Sequence, residues 1–229
     1  MVIGEMGQAT GVLKMSKVLI TGHTSGIGKA LKEKFEENGH EVIGVSRSTG
    51  FDVGKEGDWE RLIEEHGMTF DYVILNAGVA RFTHKEEEDY SDRIVSTDLM
   101  GVYYPLCRLI LLMNPNGESV CGVTGSSCAY QSSIDHPLYA AVKTGVDILV
   151  KSFTKILAVD GIRIISIAPG FTITNLGNQN YEIPEKLLEG VPLKRAMNPD
   201  ELAGYYYTIL TEFKFANGCQ FVIDGGEHA

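Results

Sequence analysis

Short apolar runs alternate with helix-periodic stretches along most of the chain, and this alternation restricts the fold more than any other feature. "KVLIT" (17–21) is a continuous apolar run, as expected of a strand buried on both faces. In "IGKALKEKFEENG" (27–39), Ile27, Leu31 and Phe35 recur at helical spacing, Lys and Glu fill the other face, and Gly39 offers a stop. "EVIGVS" (41–46), "DYVILNAG" (71–78), "ESVCGVT" (118–124), "IRIISIAPG" (162–170) and "QFVID" (220–224) read as further strands. A brief strand near Phe51 would bring the number to about seven, and a long helix is expected from Asp89 to Met113. The pattern predicts an α/β fold: a single Rossmann-like, doubly wound domain with parallel strands and helices on both faces.

A chain of 229 residues suits one such domain. Residues 1–14 are read as an extension outside the domain, which is taken to run over 15–229, because "MSKVLITG" at Met15 looks like a natural beginning. The first fifteen residues lack the basic start and apolar centre of a secretory signal. The net charge of −10 argues against a nucleic-acid backbone as partner. No apolar run reaches the roughly 20 residues of a membrane helix. Cys107, Cys121, Cys128 and Cys219 form no C-x-x-C pair and fit no zinc spacing, so reduced thiols in a cytoplasmic protein are expected, and no metal. "KEEEDYSD" (85–92) reads as a solvated helix start. The stretch 174–200 contains Pro184, Pro192 and Pro199 with little periodicity, and its place after the sixth strand suits a substrate loop.

"TGHTSGIG" (21–28) joins the first strand to the first helix. Gly22 permits a tight turn, Gly26 lets the backbone approach a pyrophosphate, and Gly28 lets helix and strand pack closely; the helix N-terminus then faces the anion. Further on, "LYAAVKTG" (138–145) sets Tyr139 and Lys143 one helical turn apart on one face. A free tyrosine titrates near pH 10 and is a poor base at neutrality. A nearby ammonium favours the phenolate, so the pair suits proton transfer to or from a carbonyl oxygen.

Together these segments resemble the short-chain dehydrogenase/reductases, over almost all of Lys17 to Gly226. "TGHTSGIG" is similar to that family's cofactor loop, here including Ser25 and Ile27, and "FDV" (51–53) to its adenine-contacting pair, Asp52 and Val53. "NAG" (Asn76, Ala77, Gly78) is similar to its signature after the fourth strand, and "YAAVK" to its Y-x-x-x-K. "APGFTIT" resembles its P-G-x-x-x-T segment, carried here by Pro169, Gly170, Thr172 and Thr174, and "IDGG" (223–226) its V-D-G-G. The resemblance implies Tyr139 as general acid/base and Lys143 as holder of the nicotinamide ribose. A serine thirteen residues before the tyrosine would hold the substrate oxygen. That spacing selects Ser126, whereas a local reading of "SSCA" favours Ser127. Many members carry an asparagine on the long helix where this chain has Asp98, which is therefore expected in the catalytic set, in contact with Lys143 or a water. The family commonly forms dimers and tetramers, so a homotetramer or homodimer is expected, with Tyr103, Leu106, Ile110, Ile148 and Phe153 as candidate contacts.

The second strand ends "VIGVSRS" (42–48), with Ser46 where an NAD site carries an acid, and Arg47 after it. A guanidinium without a competing carboxylate can take a 2′-phosphate, so NADP(H) is expected, with NAD(H) possible. Arg81, Phe82, Tyr130, His136, Phe171 and Tyr181 are candidates for the substrate wall. The expected activity is interconversion of a carbonyl and an alcohol in a small-molecule substrate. The alternative is a cofactor-binding regulatory or assembly protein with little turnover, which Asp98 favours and the complete Ser–Tyr–Lys set opposes.

Overall fold

The computed structural model describes residues 15–79, 89–114, 118–131, 136–174, 183 and 185–228. The expected extension 1–14, the helix start at 85–88, Arg81, Phe82 and Tyr181 lie outside these residues, as do 175–182 and 184 of the substrate loop.

Six described strands form one parallel sheet in the order β2-β1-β3-β4-β5-β6. They are β1 Lys17–Thr21, β2 Glu41–Val45, β3 Tyr72–Leu75, β4 Val120–Thr124, β5 Arg163–Pro169 and β6 Gln220–Ile223. Side chains alternate across the pleat, so each inner strand feeds two cores. Leu19, Val73, Cys121 and Ile164 point to one side, where they meet α2 (Glu56–His66), α4 (Gly101–Leu106), α5 (Leu109–Leu112) and α6 (Pro137–Leu157). Val18, Ile74, Val120 and Ile165 point to the other, against α1 (Gly26–Glu37) and α8 (Pro199–Glu212). Trp59, Phe35 and Tyr206 are wholly buried. Burying a large apolar side chain contributes about 1.5–3 kcal/mol.

Two expectations need correction. The seventh strand near Phe51 does not form. Arg47–Thr49 make a single 3-10 turn, Gly50 takes a left-handed φ of 84°, and the amide of Phe51 donates back to the carbonyl of Ser46. The Phe51 ring then packs edge-on against Trp59, 5.1 Å between centroids, instead of pairing with a neighbouring strand. The long helix is also not continuous. It runs as α3 (Asp89–Ile94), a π-helical turn over Val95–Met100 and α4, then breaks at Cys107 and Arg108 before α5. Pro105 has no amide hydrogen to continue the ladder, and π turns, rare in general, occur frequently at functional sites.

The stretch expected to be a substrate loop is held at its far end, where Met197 O accepts the amide of Ile173 (2.9 Å) and Met197 N donates to Phe171 O (2.8 Å). The short helix α7 (Glu185–Leu188) lies between.

At the carboxyl edge of the sheet, Thr21 joins β1 to the loop after β3. Its Oγ1 accepts the amides of Asn76 and Ala77, both at 2.9 Å, and the Asn76 side chain donates to the Thr21 carbonyl at 3.2 Å. Thr21→Val keeps the shape and removes the acceptor of both amides. Stranding buried donors costs about 1–3 kcal/mol, so thermal denaturation should show a clear fall in Tm, and cofactor titration should show weaker binding. An unchanged Tm would mean that those amides find another acceptor.

Candidate functional site

The strand ends and the loops after them enclose a cleft of about 660 Å³, within the usual range for small-molecule sites. It has three sectors.

The first is the turn between β1 and α1. Gly22 takes φ +74°, and a Cβ on Gly28 would lie 2.1 Å from the Gly22 carbonyl oxygen. Gly28 is therefore packed behind the loop, while Gly22, Ser25, Gly26 and Ile27 line the cleft. The Ser25 side chain does not cap α1, and the first turn carries no acid. The positive end of the helix is thus presented to the cleft.

The second sector lies beyond β2. Ser46 and Arg47 line the cleft, with Ser46 buried and Arg47 exposed. Hydroxyls join end to end here: Ser46 Oγ lies 2.8 Å from Ser48 Oγ, which donates to Thr24 Oγ1 at 3.3 Å. Asp52 and Val53 line the same end. Asp52 Oδ1 accepts the Gly54 amide at 3.0 Å, which fixes that carboxylate within its own turn. The fit to a dinucleotide rests on these features: an uncapped helix start, a glycine approach with no room for a side chain, and a hydroxyl-and-guanidinium corner.

The third sector is where chemistry can occur. Tyr139, near the start of α6, meets Ser126, whose hydroxyl hydrogen-bonds the phenol. Ser126 Oγ also accepts the Cys128 amide at 3.2 Å. The neighbouring Ser127 also lines the cleft and donates to Glu227 Oε2 at 3.4 Å. Of the two candidate serines, Ser126 is the one beside the tyrosine. Lys143 Nζ lies 5.5 Å from the Tyr139 ring centroid, donates to the Thr124 carbonyl at 3.2 Å, and pairs with Asp98 Oδ1 at 3.1 Å. The Asp98 side chain has no exposed surface, and its Oδ2 accepts the Val79 amide at 2.9 Å. The π turn carries this carboxylate to the lysine. A Cβ at Gly78 would lie 2.8 Å from Asp98 Oδ1, so the glycine of "NAG" makes room for it.

Burial raises the titration point of the Tyr139 phenol; Lys143 pulls it down, Asp98 and Cys128 push it up, and the Ser126 hydrogen bond pulls it down. The balance leaves it above its ordinary value. Burial works against the Lys143 ammonium, but Tyr139 and Asp98 together hold it above its usual range. Burial likewise lifts Asp98 above the usual carboxylate range, against the opposing effects of Lys143 and the Val79 amide.

The remaining expected residues also reach the cleft: Asn76, Ala77 and Gly78 beside the glycine loop, and Pro169, Gly170, Thr172 and Thr174 after β5. Of the expected substrate wall, His136 and Phe171 line the cleft, joined by Ile183. Tyr130 is turned away and donates to Asp147 Oδ2 at 2.9 Å. The sequence reading missed Asp147, a buried acid one turn beyond Lys143 on α6, which also accepts from Ser166 Oγ at 2.9 Å. The i, i+4 spacing from Lys143 was the available signal. It also missed Glu227, which enters the cleft from the segment after β6. Thr124 was missed too; its Oγ1 lies 2.5 Å from the buried Tyr206 hydroxyl.

A family profile described as enoyl-(acyl carrier protein) reductase matches residues 22–228. Among curated proteins, the chain is 27% identical over 239 residues to a 3-oxoacyl-(acyl-carrier-protein) reductase, FabG, of Chlamydia pneumoniae, covering 92% of this chain and 96% of that protein. It is 30% identical over 252 residues to an uncharacterised oxidoreductase, YxbG, of Bacillus subtilis, covering 94% of this chain and 92% of that one. Two crystal structures share the fold. A 3-ketoacyl-(acyl-carrier-protein) reductase from Brucella melitensis, complexed with NADH, has a TM-score of 0.80 at 23% identity and covers 93% of this chain and 98% of its own. BdcA in complex with NADPH has a TM-score of 0.82 at 21% identity, covering 92% and 93%. With the glycine turn, the "NAG" loop and the Tyr139–Lys143 helix assembled around one cleft, and with a family profile spanning most of the sequence, the chain belongs to the short-chain dehydrogenase/reductase family of oxidoreductases.

Proposed function

We propose that this protein is an NADP(H)-dependent oxidoreductase that interconverts a carbonyl and an alcohol, with Tyr139 as general acid/base. The observation that carries the reading is the meeting of the Tyr139 phenol, the Ser126 hydroxyl and Lys143 in one cleft. A bound nicotinamide cofactor would supply or accept the hydride. Gly22, Ser25, Gly26 and Ile27 would take its pyrophosphate at the start of α1; Ser46 and Arg47 would take the adenosine 2′-phosphate, and Asp52 and Val53 the adenine. Asn76, Ala77, Gly78, Lys143 and the segment from Pro169 to Thr174 would surround the nicotinamide end. Ser126 orients the substrate oxygen toward Tyr139, and Tyr139 donates the proton in reduction or accepts it in oxidation. The four cysteines are free thiols, which suits the reducing cytoplasm. 3-Oxoacyl thioesters head a substrate screen because that chemistry appears in the names of several relatives.

The rival reading, a cofactor-binding regulatory or assembly protein with little turnover, has the Asp98–Lys143 pair in its favour. Tyr139→Phe separates the two. It should leave NADPH binding nearly intact and reduce turnover by roughly a hundred- to ten-thousand-fold, the usual loss for a general acid. Turnover within a factor of two of wild type would exclude Tyr139 from the chemistry.

Cofactor choice is tested at Arg47. Arg47→Ala should weaken NADPH binding by about 1.5–3 kcal/mol, a charge-assisted contact, and leave NADH nearly unaffected. Equal affinity for both cofactors in the wild type, with no selective loss in the variant, would assign the 2′-phosphate no reader at Arg47.

Assembly follows from the outer faces of α4, α5 and α6. Leu106 is fully buried and belongs to the core, and Phe153 is partly covered by Tyr103 at 6.2 Å. Tyr103, Ile110 and Ile148 remain 39%, 45% and 55% exposed, an apolar surface suited to a second copy. Light scattering should give a mass of two or four times 25.1 kDa; a monomer at micromolar concentration would contradict this.

A further inference from the structure

The geometry points to Asp98 as a positioning residue that cancels the charge of Lys143 beneath Tyr139 and thereby keeps the site loaded as a proton donor well into alkaline solution. This inference rests on the acid/base reading of Tyr139 and adds the direction in which the site is poised.

The argument begins with the pair itself. Asp98 and Lys143 lie 3.1 Å apart, with side chains 0% and 4% exposed. Whether the proton between them is assigned to the amine or to the carboxylate, the pair carries no net charge. A lysine facing an uncharged partner would carry a full positive charge one helical turn from the phenol. Phenolate formation at Tyr139 depends on such a charge, because burial alone favours the neutral phenol. With Asp98 in place, that help is largely withdrawn.

The other groups around the phenol do not restore it. Ser126 and Cys128, on the turn after β4, are uncharged as hydroxyl and thiol, and burial keeps the Cys128 thiol protonated. Glu227, after β6, adds negative charge near Cys128. Asp147, on α6 itself, adds negative charge near Lys143. Arg93 and His136 line the same cleft from α3 and from just before α6, but the groups acting most strongly on the phenol are Lys143, Asp98, Cys128 and Ser126. Asp98 is held in place, its second oxygen by the Val79 amide and its first by Lys143.

For the reaction the consequence is asymmetric in pH. In reduction a hydride is added to the carbonyl carbon, the Tyr139 O–H bond breaks and the alcohol O–H forms. The phenolate left behind then recovers a proton from solvent. Tyr139 remains a competent donor until pH passes its raised titration point, so reduction holds its rate into alkaline solution. Oxidation needs the phenolate at the start and gains rate as pH climbs toward that point.

The test reads the proton directly. Tyrosinate absorbance is titrated in wild type, in Tyr139→Phe and in Asp98→Asn, and the wild type minus Tyr139→Phe difference isolates Tyr139. In wild type no tyrosinate from this residue should appear below about pH 9, given an ordinary value near 10. Asp98→Asn, which removes the carboxylate that offsets the Lys143 charge, should lower the midpoint by about one to two pH units, the usual size of the effect of one nearby charge in a protein interior. The pH–rate profile for reduction of acetoacetyl-CoA with NADPH should shift to acid by the same amount. A wild-type midpoint near or below neutrality overturns the proposal, as does an Asp98→Asn midpoint that stays or rises. If Asp98→Asn does not fold, a wild-type midpoint near or below neutrality still overturns the proposal. Full turnover in Tyr139→Phe would instead defeat the acid/base reading and leave the titration result standing.

Discussion

The cleft depends on how closely α1 approaches the turn that follows β1. Gly28 faces the carbonyl of Gly22 with no space for even a methyl group, and this contact draws the start of the helix down to the carboxyl edge of the sheet. A side chain here would lift α1 and move Ser25, Gly26 and Ile27 away from the strands they overlook. Thr21, one residue before the turn, ties that edge to the "NAG" loop through two amides. Two neighbouring strands thus share one fixed corner, and the remaining loops of the site assemble around it.

The parts of the fold readable in the sequence are those controlled by local periodicity. The continuous apolar runs of β1, β3, β4 and β5 mark strands covered on both faces, and Leu31 and Phe35 mark the buried stripe of α1. Phe51 misled because an apolar residue after a polar turn looks the same whether it pairs in a sheet or plugs a helix. Only the presence of Trp59 across the gap decides between them, and that contact depends on where α2 lies. The broken helix over 89–112 was hidden for a similar reason: a π turn changes the hydrogen-bond pattern without changing the composition of the segment.

The site was legible wherever chemistry demands a residue type at a set spacing, as for Gly22, Gly26, Gly28, Tyr139 and Lys143. It was less so where residues meet only in space. Asp147 looks like an ordinary helix acid until Tyr130 and Ser166 are seen to converge on it. Glu227 sits in a short stretch near the end of the sequence, where no periodicity announces a role. That Ser126 rather than Ser127 lies beside the Tyr139 phenol depends on the 3-10 turn over Ser127–Tyr130, which the letters "SSCA" do not encode.

The strand order carries a consequence for how the chain acquires its shape. The first 75 residues contain β1, β2 and β3, which are adjacent in the finished sheet, so a three-stranded seed is available before the rest has been made. From β3 onward every new strand docks beside the one before it, in the sequence β4, β5, β6. Growth is therefore one-sided and follows the direction of synthesis, with no earlier pairing to be undone. The Tyr139 helix follows β4 in the chain, after the β1 and β3 segments that Thr21 joins. The glycine-turn end of the cleft can therefore form from an earlier part of the chain than the Tyr139 end.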